Sequence, residues 1–112
     1  MENKYSNRYF KKQTEVNEVW RKFMDKQDVL DAIERARGSI AYMSKHLPHK
    51  LNKEDMEFME KPLGELEIAI RKINNIPELF GFNELEIKEI RESYESLRKK
   101  VEQIDLQRIS WY

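Results

Sequence analysis

The sequence predicts an all-α fold, an antiparallel up-down-up-down bundle of four helices. Three observations lead there. Apolar residues recur at alternating steps of three and four along most of the chain, which is the spacing of a helix face. Charged residues make up 38% of the sequence against three glycines and three prolines, a balance that favours regular helix over a turn-rich β fold. The connections between periodic runs are short, so successive helices should be antiparallel neighbours. At 112 residues the expectation is one domain, 1–112, with a short N-terminal arm over about 1–8.

The arm is polar and carries Lys4, Tyr5, Arg8 and Tyr9. From about Asn7 a first stripe begins, with Val16, Trp20 and Phe23 following Tyr9, and Phe10, Val19 and Met24 widening it. The join at 25–28 is ambiguous. Asp28 can cap a new helix with Asp31 in its first turn, yet neither glycine nor proline forces a break. Continuity there gives the alternative fold, three helices with one helix over 7–47. That helix would be roughly 60 Å long and would overhang its partners, which requires a dimer.

The second stripe is Val29, Ile33, Ala36, Ile40, Met43 and Leu47. Gly38 interrupts it at a cost of about 1 kcal/mol relative to alanine, which suggests close helix packing or a bend. Pro48 ends the segment, and Asn52 caps a third helix with Lys53, Glu54 and Asp55 in its first turn. Its stripe is Met56, Met59, Leu63, Leu66, Ile70 and Ile73, which keeps phase across Pro62 and so favours a kink over a restart.

The longest and cleanest stripe is the last. Ile87, Ile90, Tyr94, Leu97, Val101 and Ile104 run along one face of 83–109, with Asn83 as cap and Glu86 reaching back to it. Glu84, Lys88, Glu92, Arg91, Glu95 and Lys99 form i,i+4 charge pairs on the outer surface. This helix, roughly 39 Å long, is the expected organiser of the bundle.

Function is far less legible. The absence of cysteine removes disulfides, thiolate metal sites and a cysteine nucleophile. His46 and His49 lie near Glu54 and Asp55, but a proline separates the histidines and no third ligand is fixed nearby, so a loop without metal is expected. The helices carry Glu-x-x-Glu pairs but no histidine, which argues against a di-iron bundle. No Gly-rich phosphate loop or marked nucleophile is present. The expectation is a non-enzymatic protein without cofactor or metal. No apolar run reaches membrane-spanning length, and a cytoplasmic location is the default.

Two features exceed a purely structural reading. The connection 76–82 is unusually apolar, and its Leu79, Phe80 and Phe82 either plug the end of the bundle or form an aromatic contact site. The second feature is a pole where the arm, the 46–52 loop and the C-terminus meet. It gathers Lys4, Tyr5, Arg8, Lys11 and Lys12 with Trp111 and Tyr112. The leading expectation is an adaptor, inhibitor or regulator that binds another protein, with self-association as a homodimer in view. The alternative is a nucleic-acid-binding accessory protein using the basic, aromatic pole. Zero formal net charge favours the first.

Overall fold

The computed structural model describes residues 13–46 and 51–110, with side chains described as far as Leu106. Among the described residues every regular element is a helix: α1 Gln13–Lys22, α2 Lys26–Lys45, α3 Lys53–Asn75, α4 Pro77–Phe80 and α5 Glu84–Ser110. The four longer helices form the bundle, and α4 is a single turn inside the 76–82 connection.

Contacts between helices fix their directions. Arg35 meets Glu65, and Tyr42 meets Phe58, so α2 and α3 run antiparallel. Lys26 pairs with Glu86, and Arg37 donates to the Ser93 hydroxyl, so α2 and α5 run parallel. α3 packs against α1, α2, α4 and α5, while α2 and α5 also touch each other. The axial helix is therefore α3, which corrects the expectation that the 83–109 segment organises the chain. α5 lies on the periphery with one buried stripe: Ile90, Tyr94, Leu97, Val101 and Ile104. α3 is buried nearly all round. Besides the expected row it buries Gly64, Ile68 and Lys72, an i,i+4,i+8 series on the side that meets α1. Glu60 on the same helix is fully buried.

The join at 25–28 is a true break. α1 ends at Lys22, and Asp25 caps α2, its carboxylate accepting from the Asp28 N–H while Asp28 Oδ2 accepts from the Asp25 N–H. The cap is Asp25 and not Asp28, which sits at the third helical position. The alternative of one continuous helix over 7–47 is thereby excluded, and with it that reason for a dimer. The break also rests on a distant residue. Lys72 Nζ, buried on α3, donates to the carbonyls of Trp20 at 2.9 Å and Phe23 at 2.7 Å, and lies 5.7 Å from the Trp20 ring centroid. These carbonyls lie at and just past a helix C-terminus, where a cation is favoured; the Trp20 carbonyl also accepts from the Phe23 N–H.

The other two caps are those the sequence predicts. Asn52 forms a reciprocal box with Asp55, and Asn83 with Glu86. α3 runs through Pro62 without restarting. Gly38 departs from expectation, because a methyl group placed on it would meet nothing within 4 Å. Close packing among the described residues does not account for it. Gly38→Ala should accordingly raise stability by about 0.5–1 kcal/mol through helix propensity and reduced unfolded-chain entropy. A urea titration showing loss of stability would mean that this glycine serves the fold.

Candidate functional site

The α1–α2 junction, α4 and the start of α5 each carry exposed apolar side chains: Met24, Leu79 and Leu85. The construction of this end starts at Ile76-Pro77. Proline at the first position of α4 preorganises a helical turn. Gly81 closes it in the left-handed region at φ 69°, which a glycine adopts without the steric cost of a Cβ. The turn is amphipathic. Phe80 points inward, 5% exposed, and stacks on the half-buried Phe82 with centroids 6.1 Å apart and 24° between planes. Leu79 points outward, 42% exposed.

Lys26, at the start of α2, covers this turn. Its Nζ lies 5.1 Å from the Phe82 centroid and 3.4 Å from Glu86 Oε1. Glu86 also accepts from the Asn83 N–H, and that backbone bond, ahead of Lys26, holds its carboxyl below the usual range. Beside this polar clasp stand Met24, 63% exposed, and Leu85, 64% exposed, with Ile76 at the margin. The sequence places Met24 on the apolar stripe of the first helix. Met43, Met56 and Met59 are buried, whereas Met24 is displaced to the surface by the chain reversal at Asp25.

Phe80 is therefore a plug and Phe82 its cover, while Leu79 faces solvent.

No family model, curated protein or solved structure matches this chain. Its site stands on its own geometry.

The remaining sequence candidates, Lys4, Tyr5, Arg8, Lys11, Lys12, Trp111 and Tyr112, lie outside the described residues, as does His49. His46 is exposed and lies against Tyr42, with ring centroids 4.6 Å apart. Among the described residues no group of three or more His, Cys, Asp or Glu is placed to hold a metal ion, and no helix is long and apolar enough to cross a membrane.

A second carboxylate, Glu67, is shifted in the opposite direction to Glu86. Burial between α3 and α5 pushes the Glu67 carboxyl above its usual range, against the opposing effect of a hydrogen bond with Tyr94 and the charges of Arg71 and Arg98. A raised folded-state value favours the protonated acid. The contribution of Glu67 to stability is thus fully present below the ordinary glutamate value of about 4.3 and is lost as pH rises through its folded pKa. Glu67→Gln should match the parent near pH 4 and exceed it in stability at pH 7. Urea titrations at the two pH values check this, and a variant less stable at pH 7 would contradict it.

Exposed apolar residues that are not among the sequence candidates include Met24, Leu85, Tyr42 and Phe58, together with Leu30, Ile76 and Leu106. For Leu85, Tyr42 and Phe58 a signal exists, because each is apolar yet out of phase with the buried stripe of its own helix.

Proposed function

We propose that this chain acts by binding another protein through the apolar end of its bundle, with Leu79, Leu85 and Met24 as anchors. The observation that carries the reading is the concentration of these exposed side chains on one end, mounted on a buried Phe80 and clasped by Lys26 and Glu86. Exposed apolar clusters rimmed by charge are the usual form of a protein contact site. A short turn held rigid from below loses little entropy on docking. Catalysis has no comparable support, since the ionisable groups around the site serve caps and ion pairs. Adaptor, inhibitor and regulator are all roles open to such a surface. Zero net charge supports a protein partner over nucleic acid, for which binding should fall steeply with salt.

The test is a double variant, Leu79→Glu with Leu85→Glu. Both side chains are exposed, so its melting midpoint should stay within a few degrees of the parent. Immobilised parent and variant are then compared with the host's soluble proteins at low and high salt. A partner retained by the parent at both salts and lost by the variant supports the reading. A partner retained equally by both, or nucleic acid retained only at low salt, refutes it.

A further inference from the structure

α1 lies in the groove between α2 and α3, and that groove is longer than the helix in it. Val19 and Lys22 line a cleft with Asp28, Asp31 and Arg35 on α2 and with Glu65 on α3. On the other flank, Lys72 of α3 donates to the Trp20 carbonyl and lies over the Trp20 ring. Beyond Gln13, where the described part of α1 begins, both walls of the groove continue. On α2 the row Asp28, Asp31, Arg35 runs on at the same helical spacing through Gly38, Tyr42 and His46. On α3 the row Lys72, Ile68, Glu65 runs back through Lys61, Phe58 and Glu54. Tyr42 is 55% exposed and Phe58 47% exposed, although they touch edge to face with centroids 5.8 Å apart. Beside them a Cβ on Gly38 would meet nothing within 4 Å.

The sequence ahead of Gln13 repeats the pattern by which α1 docks. Lys12 and Arg8 stand seven and eleven residues before Val19, so a continued helix places them on the flank that meets α2. Tyr9 stands seven before Val16 and eleven before Trp20, on the flank that meets α3. Phe10 falls on the opposite side of such a helix. The register follows from the described contacts. Lys22 is level with Asp28, and the end of α1 is level with Lys72. Carried back turn by turn, Lys12 comes level with Gly38, and Arg8 with Tyr42 and Phe58. Charge agrees as well. From Arg8 to Lys12 there are three bases and no acid, and the α3 wall there presents exposed Glu54 and Glu57.

We propose that the occupant of this groove is the chain's own N-terminal segment, with residues 7–12 continuing α1 between α2 and α3. Tyr9 packs on Phe58. Arg8 lies over the Tyr42 ring, where a guanidinium on an aromatic face is favoured. The Lys12 stem occupies the open space before Gly38. The span fits: six residues of helix advance about 9 Å, enough to pass from the level of Gly38 beyond that of Tyr42. The contact is a continuation of one already formed by Val16, Val19, Trp20 and Phe23. It lies at the opposite end of α2 from the apolar cluster around Leu79, so it is independent of the partner proposed there. Filling the groove from within the chain leaves that apolar end as the surface for another protein.

Because the sequence has no cysteine, Ser6→Cys gives the full chain a single attachment point for a nitroxide label. Paramagnetic broadening of its amide signals then reads where the segment lies. Signals from 41–45 in α2 and 54–59 in α3 should weaken at least threefold, while those from 26–29 and 71–75 keep nearly all their intensity. Adding Arg8→Glu with Tyr9→Glu removes the ring contact and sets like charges against Glu54 and Glu57, so this contrast should vanish. Phe10→Ala, on the outward side, should preserve it. Broadening that is absent, or even along both helices, overturns the proposal. So does a double variant that keeps the contrast, or a Phe10→Ala chain that loses it. A mixture of unlabelled, isotope-enriched chain with spin-labelled chain should show no broadening. If the contrast appears there, the groove is filled by a second copy and the proposal fails.

Discussion

Phe80→Ala is expected to destabilise the chain by about 3–5 kcal/mol, the range of large-to-small changes at well-packed aromatic sites. Phe80 is 5% exposed at the end of a one-turn helix, stacked on Phe82 and joined to the main core. The surroundings have little freedom to collapse into the gap. Pro77 and Gly81 fix the turn on either side, and α3 and α5 hold its ends. Removing the ring would also loosen the footing of Leu79, so binding at the apolar end should weaken together with stability. Leu79→Ala provides the contrast. Its side chain faces solvent, and its cost should stay within about 0.5 kcal/mol. Chemical denaturation of the two variants separates plug from anchor, and a cost below about 1 kcal/mol for Phe80→Ala would contradict the assignment.

Lys72→Met should cost about 2–4 kcal/mol. Methionine keeps most of the aliphatic stem that packs inside the bundle but removes the ammonium group. Two charge-assisted hydrogen bonds to the Trp20 and Phe23 carbonyls are lost, and the Phe23 carbonyl in particular is left poorly solvated, since that of Trp20 keeps the Phe23 N–H. The damage should be local first. α1 ends at this cap, so its amides should exchange with solvent much faster in the variant, while those of α3 and α5 slow or quicken only with global stability. Unchanged exchange in α1 would mean that its docking rests on the apolar side chains Val16, Val19, Trp20 and Phe23.

The helices are legible in the sequence because each long one is amphipathic, and two of the three capping boxes because an asparagine stands three residues before an acid at the start of a stripe. At the α1–α2 break two aspartates satisfy the same rule. Spacing does not choose between them; the structure caps with Asp25, just after the Phe23 carbonyl that accepts from Lys72, a contact 49 residues away. The axial helix is hidden for a related reason. A clean stripe with charged flanks, as in α5, describes a helix buried on one side, which is a peripheral position. A central helix is apolar on several sides, so its pattern blurs, and Gly64, Ile68 and Ala69 in α3 resemble noise.

The candidate site is half visible in the sequence. Leu79, Phe80 and Phe82 stand out because apolar residues are conspicuous in a connection. Their division into core and surface is not visible, because a single turn of helix decides which side chain points inward. Leu85, Tyr42 and Phe58 are inconspicuous because they sit inside helices, where the phase of the buried stripe dominates the pattern and masks what falls outside it. Gly38 misleads in the opposite direction. A glycine in a helix suggests contact, and the described residues supply none.

Native-state hydrogen exchange, resolved by residue, tests the central claim that α3 is the axis on which the other helices depend. Amides of α3 between Met59 and Ile73 should be the slowest in the molecule and should open only with global unfolding. Those of α5 around Ile90 to Val101 should open at lower free energy, and those of α1 lower still. If the α5 amides outlast those of α3, the peripheral stripe organises the bundle and α3 is not its axis.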